Sequence, residues 1–282
     1  MYVSLGIFTQ YRRELMGVAT VLILLCHSLL PPAIHCPNDI LRWIIITGNR
    51  GVDIFLFLSG LGMYHSLRKM TKWNRGGVIR WYAKRYRHIL LPYLLICFPY
   101  YLVLGCVNDG HFSISIFLYR LSTLNYWLEH KGFWYIAMLI PLYFLTPFYA
   151  RIIDKTKYQT LLTVTLCIIL LLISTIKIEN NNLFSHVWNN TAFVLQRIPS
   201  YLIGYYMAPS ILKGKKVNLL KLTGIIAGCF LVIKIIFPAN TFWEWLEIYP
   251  IMLVSYFFIK KSVWIKPVSY THLRAHETLR HL

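Results

Sequence analysis

The stretch Met16-Gly17-Val18-Ala19-Thr20-Val21-Leu22-Ile23-Leu24-Leu25-Cys26-His27-Ser28 decides how the rest of the chain is read. It lies in an apolar run over 15–33. At about 1.5 Å per residue, a helix of that length approaches the ~30 Å hydrocarbon core of a bilayer. Comparable runs follow at 44–66, 89–107, 132–150, 159–177, 191–211, 220–238 and 243–259. The 282 residues are 57% hydrophobic, 16% aromatic and only 14% charged. Ordinary soluble domains carry roughly 25% charged residues, so this chain has too little charge to cover a soluble surface. The sequence predicts an all-α polytopic membrane protein with eight transmembrane helices. A further run over 112–128 is punctuated by Arg120 and Asn125, and it reads as an interfacial or re-entrant helix rather than a span.

The charge is lopsided, with 29 Lys+Arg against 10 Asp+Glu. If the N-terminus is inside and the eight runs alternate, the inner segments hold 20 of the basic residues, and 7 fall outside or within spans. That is the positive-inside bias, which predicts a cytoplasmic N-terminus and contact with anionic lipid headgroups. No nucleic-acid-binding motif accompanies the basic charge, so no nucleic-acid partner is expected. Cys26, Cys36, Cys97, Cys106, Cys167 and Cys229 are scattered and form no CxxC. The sequence therefore predicts no metal site and no thioredoxin-like pair.

Polar groups within apolar runs are costly and mark sites by default. His27 lies about 16 Å along the helix from Met16, near the middle of the membrane or somewhat beyond it. Imidazole can take and return a proton near neutral pH; a packing histidine bonded to a neighbouring helix is the alternative. Gly48-Asn49-Arg50-Gly51-Val52-Asp53-Ile54-Phe55-Leu56-Phe57-Leu58-Ser59-Gly60 places Arg50 and Asp53 on one helix face. They could pair there, structurally or at a site. Gly51, Ser59, Gly60 and Gly62 suit close helix packing. A basic loop over 67–88 ends in Lys84-Arg85-Tyr86-Arg87-His88-Ile89-Leu90-Leu91-Pro92-Tyr93. Its guanidinium groups fit phosphates, and its summed charge equally fits anionic lipid.

Together these elements resemble the integral-membrane acyltransferases of acyltransferase family 3, the O-acetyltransferase-like group that acylates cell-surface glycans. The resemblance rests on His27 at the far end of an Arg-entered first span, the Gly51–Gly60 segment and Arg85 leading to Pro92-Tyr93. It also includes Phe133-Trp134-Tyr135-Ile136 leading to Tyr143 and Pro147, and Arg197-Ile198-Pro199-Ser200-Tyr201-Leu202-Ile203-Gly204. It is clear over 11–210 and fades beyond. Two positions depart from the family pattern. Met16 stands where the family often has Arg, with Arg12 and Arg13 one turn earlier, and His88 replaces a second Arg beside Arg87.

The resemblance implies an O-acyltransferase with acyl-CoA, acetyl-CoA above all, as co-substrate and no bound cofactor. Its acceptor would be a glycan or lipid-linked glycan. His27 would be the general base or transient acyl carrier. Arg13, Arg50, Asp53, Ser59, Arg85, Arg87, Trp134, Tyr143 and Arg197 would bind donor or substrate. A transporter or flippase for a small or lipid-linked solute is the competing class, although the two halves show no repeat. Family members usually have about ten spans, so 1–267 is expected to be an acyltransferase domain incomplete at its C-terminus. The polar 268–282 resembles adapter read-through and is expected to be a non-native or disordered tail; an amphipathic cytoplasmic tail is the alternative.

Overall fold

The computed structural model describes residues 2–28, 38–70, 74–107, 113–180 and 182–218, with Lys221, Gly224 and Gly228. The expected spans at 220–238 and 243–259, and the tail over 268–282, lie outside the described residues. In chain order the elements are β1 (Tyr2–Ser4), α1 (Ile7–Gln10), α2 (Arg12–Ser28), α3 (Asp39–Thr47), a 3-10 turn (Gly48–Arg50), α4 (Gly51–Arg68), α5 (Arg75–Val107), α6 (Ile114–Leu121), α7 (Leu124–Glu129), α8 (Trp134–Lys155), α9 (Gln159–Ser174), α10 (Leu183–Leu195), α11 (Ile198–Leu212) and β2 (Lys216–Asn218). The described chain is thus mostly helical. It divides into two compact units, one of residues 1–62 and 199–282, the other of residues 63–198.

In the first unit, β1 and β2 pair antiparallel, with Val3 opposite Val217. The left-handed Gly214 (φ 60°) turns the chain into β2, and the Ser4 hydroxyl donates to its carbonyl at 3.0 Å. Helices α2, α4 and α11 form the core, with Leu15, Ala19, Ile54, Phe57 and Tyr205 buried. Phe8 of α1 packs edge-on against Phe57.

In the second unit, α5 and α8 are, among the described residues, the helices long and apolar enough to cross a membrane, and α9 is a shorter apolar helix. Leu95, Ile96, Leu145, Phe148, Leu161 and Ile168 are exposed on them. A soluble protein rarely leaves so much apolar surface uncovered; hydrocarbon covers it without cost. The Tyr82 and Tyr86 hydroxyls each donate at 2.8 Å to α8 carbonyls, those of Phe144 and Ile140. Tyr93 donates at 3.0 Å to the Leu121 carbonyl. That carbonyl ends α6 and has no partner within its own helix.

Three expectations change. The basic segment is helix rather than loop from Arg75 onward, with the Asn74 side chain accepting from the Gly77 amide at 2.8 Å. No proline interrupts it before Pro92, and Lys and Arg are good helix formers whose charged ends reach past the apolar core. At 33 residues, or about 50 Å, α5 is longer than a bilayer core needs. Second, the run over 191–211 is two helices. Pro199 lacks the amide that would continue the hydrogen-bond ladder, so the chain restarts at Ile198, and proline is tolerated in the first turn of α11. Third, the run over 44–66 comes as α3, the 3-10 turn and α4. The 112–128 segment forms two short helices separated at the left-handed Thr123 (φ 67°), and neither can cross a membrane.

Candidate functional site

Glycines set the register between α2 and the segment opposite it. A Cβ at Gly51 would meet the Ala19 carbonyl at 2.5 Å, and one at Gly48 would strike the Leu22 carbonyl and lie 3.4 Å from Cys26 Cβ. Cys26 Sγ lies 3.6 Å from the Ile46 carbonyl. At the other end, Arg12 Nη2 donates to the Leu58 carbonyl at 3.4 Å. Contacts run 12 to 58, 19 to 51, 22 to 48 and 26 to 46, so the two segments are antiparallel. Arg12, rather than the exposed Arg13, turns toward α4.

This register separates two residues expected to act together. His27 lies eight residues past Ala19, and Asp53 two residues the other way from Gly51. The offset along the helix axis is about 15 Å, too far for Asp53 to orient the imidazole. Instead His27 is held by its own helix. Its Nδ1 lies 2.8 Å from the Ile23 carbonyl. A carbonyl only accepts, so Nδ1 is the donor, and the neutral ring carries its lone pair on Nε2. His27 is exposed at the end of α2.

Asp53 is fully buried, and Ser200 Oγ donates to its Oδ1 at 3.2 Å. Asp53 is in the first turn of α4, where a helix favours negative charge. Arg50, in the preceding turn, is also buried. Past Asp53, α4 and α11 pack backbone to backbone. A Cβ at Gly60 would strike the Tyr201 carbonyl, and one at Gly204 the Phe57 carbonyl. Asp53 lies beside Ser200 and Phe57 beside Gly204, and Gly60 meets the backbone of both Tyr201 and Tyr205. Ser59 is half-buried on the same helix.

The second unit holds the remaining expected residues. The Ser66 hydroxyl accepts from Trp81 Nε1 at 2.8 Å and from Arg85 Nε at 2.9 Å, which fixes the direction of the Arg85 guanidinium. Arg87 does not join it: two residues along a helix is about 200° around the axis. Arg87 is exposed and shares a face with the exposed Arg80 and Lys84. Trp134 packs edge-on against Phe193 at 5.1 Å. Tyr143 is half-buried on α8, and Arg197 is buried at the break between α10 and α11. Among the described residues no cluster of three His, Cys, Asp or Glu side chains could hold a metal.

Sequence reasoning missed a polar neighbourhood around α7. Asn190 ties α10 to α7: its Nδ2 donates to the Tyr126 and Trp127 carbonyls at 2.9 Å, and its Oδ1 accepts from His130 Nδ1 at 2.7 Å. The Tyr126 hydroxyl returns a bond to the Asn190 carbonyl at 2.9 Å. Beside it, Glu129 accepts from Lys131 at 3.0 Å and from the Tyr119 hydroxyl at 2.9 Å. The lysine bond first, then the tyrosine bond, hold the Glu129 carboxyl below its usual range. Burial first, then the carboxylate, push the Tyr119 hydroxyl up to about 12. The sequence signal was the density of Tyr, Phe and Asn over 100–133, which hydrophobicity patterns absorb without trace.

A family model described as "Acyltransferase domain", that of acyltransferase family 3, matches residues 15–259. No curated protein and no solved structure matches the chain. The match spans most of the chain, and the protein belongs to this family of membrane acyltransferases.

Proposed function

We propose that this acyltransferase moves an acyl group, acetyl in the reading we favour, from cytoplasmic acyl-CoA to a hydroxyl of a cell-surface or lipid-linked glycan. Residues 1–267 belong to its acyltransferase domain, set in a bacterial-type plasma membrane with the N-terminus cytoplasmic. The observation that carries this reading is the His27 hydrogen bond to Ile23. It leaves Nε2 as a base at the exposed end of α2. Nε2 takes the proton of the acceptor hydroxyl as its oxygen attacks the thioester carbonyl. The C–S bond then breaks, and the imidazolium returns the proton to the CoA thiolate. If His27 carries the acyl group transiently, Nε2 attacks the thioester carbonyl and the C–S bond breaks to release the CoA thiolate; the acceptor oxygen then attacks that carbonyl, the C–N bond breaks, and the hydroxyl proton passes to the thiolate.

The donor's phosphates draw on two faces of α5, the Ser66-held Arg85 and the Arg80–Lys84–Arg87 stripe, and the stripe also meets anionic lipid. Arg50 and Arg197 supply buried positive charge against charge developing on the carbonyl oxygen. Asp53 with Ser200 holds α4 to α11 rather than steering His27. Trp134 and Tyr143 shape the substrate path. The test is acyl-CoA turnover by the purified protein in detergent. We expect free CoA to appear and the label to move from acyl-CoA to an added glycan acceptor. Solute flux in vesicles with no thiol release would instead identify a transporter.

A further inference from the structure

Ser66 sits in the last turn of α4, and Trp81 and Arg85 lie one turn apart on α5. The Ser66 oxygen accepts from Trp81 Nε1 at 2.8 Å and from Arg85 Nε at 2.9 Å, so both of its lone pairs are taken. Trp81 is buried, and a buried indole N–H needs such an acceptor. That bond gives the oxygen a structural use. It gives the hydroxyl proton none.

Other helical hydroxyls in the structure donate to their own helix. Thr20, Thr146, Thr163 and Thr191 each donate to the carbonyl four residues back. Ser66 is turned toward α5 instead, and among the described residues no acceptor takes its proton. Two N–H donors on one oxygen, one of them a guanidinium, polarise the remaining O–H and strengthen it as a donor. Ser66 is half-buried rather than enclosed.

The surroundings select an anion as the missing acceptor. Residues 66–88 contain eight Lys and Arg and no Asp or Glu. The acid that reaches this turn of α4, Asp154, is taken by Arg68 at 2.5 Å. The C-terminal carbonyls of α4 oppose an anion with only about half an elementary charge. A neutral hydroxyl could accept the Ser66 proton but would draw little from the guanidinium beside it; a phosphate oxygen draws on both. We propose that Ser66 contacts a phosphate of the acyl donor, donating its hydroxyl proton to a phosphate oxygen while its own oxygen holds Arg85 alongside. The proposal rests on the acyl-CoA reading above. It adds to that reading an uncharged residue that sets how tightly the donor is held.

The test is CoA binding to the purified full chain in phosphatidylcholine nanodiscs, measured by isothermal titration calorimetry. Pantetheine, which keeps the thiol arm and lacks every phosphate, is compared by competition. We expect Ser66→Ala to weaken CoA binding about tenfold and to leave pantetheine unmoved. Ser66→Thr restores the hydroxyl and should bind CoA within about twofold of wild type. Ser66→Ala strands the buried Trp81 N–H, so Ser66→Ala/Trp81→Phe, which removes both partners, should fold as wild type does and show the same loss of CoA. Combined with Arg85→Lys, the loss should be smaller than the product of the two single losses, because both residues act on one phosphate. Wild-type CoA affinity in Ser66→Ala or in the double variant, with Arg85→Lys weakened, overturns the proposal and leaves the Arg85 reading standing. Wild-type affinity in Arg85→Lys as well overturns the donor-phosphate reading itself. Equal loss of CoA and pantetheine makes Ser66 structural and overturns the proposal. So does phosphatidylglycerol in the nanodisc that competes with CoA in wild type but not in Ser66→Ala, which would assign the hydroxyl to a lipid phosphate.

Discussion

The α4–α11 contact and the turn at Gly132 before α8 handle buried polarity in opposite ways. In the first, glycines bring two backbones together, and the buried Asp53 carboxylate accepts from the Ser200 hydroxyl across the seam. In the second, Gly132 in a left-handed turn packs onto the Asn125 and Tyr101 side chains, and Asn125 Oδ1 and the Tyr101 hydroxyl lack a hydrogen-bond partner of normal geometry among the described residues. Removing a polar partner from a closed seam leaves a cost that the protein bears. The contrast is between buried polarity that is paired across a seam and buried polarity that is packed without a partner of normal geometry.

The seam should break most visibly. Gly204→Leu puts a side chain into the Phe57 backbone, which cannot yield; overpacking typically costs about 1–3 kcal/mol and more against rigid atoms. The expected result is loss of folded protein by size-exclusion chromatography, with Gly17→Leu, where no atom of the described residues lies within 4 Å, as the tolerated control. If Gly204→Leu folds like Gly17→Leu, the seam is not a packed contact.

The donor face gives the next effect. Arg85→Lys loses the Nε bond to Ser66, so the donor KM should rise about tenfold with kcat little changed. Arg87→Lys keeps the charge of an exposed stripe and should be nearly silent. Equal effects at the two positions would contradict their placement on different faces of α5.

Much of the helical layout was legible in the sequence. Long apolar runs place α8 and α9 nearly where they stand, because twenty apolar residues have few other uses. The start of α5 was hidden because charged residues read as loop, although long basic side chains reach water from a helix. The break before Ile198 was hidden because hydrophobicity continues through it, and only Pro199 marks it. His27 could be singled out from its position in an apolar run. Its separation from Asp53 could not, since it depends on the register that Gly48 and Gly51 set against α2. Nor could the Asp53–Ser200 bond, whose partners are 147 residues apart in sequence.

Smaller changes sharpen the Gly132 side of the contrast. Gly132→Ala imposes a side chain at φ 87° and crowds Asn125. We expect about 1–2 kcal/mol of lost stability in a thermal melt; an unchanged melt would show that the turn at Gly132 tolerates a side chain. Tyr119→Phe removes one of the two bonds to the Glu129 carboxylate. The Glu129 carboxyl should then titrate closer to its ordinary range, read by carbon-13 NMR and assigned with Glu129→Gln. Both forms of that carboxylate are solvated, so the shift is the smallest effect expected. An unmoved titration would mean that Tyr119 does not contribute to it.

The most direct test of acyl transfer through His27 is the turnover number of His27→Ala in purified protein that elutes as folded wild type does. General-base removal typically costs 10²–10⁴-fold, so we expect kcat to fall by at least about 100-fold while acyl-CoA still binds. A variant retaining more than about one-tenth of wild-type turnover would contradict a catalytic His27.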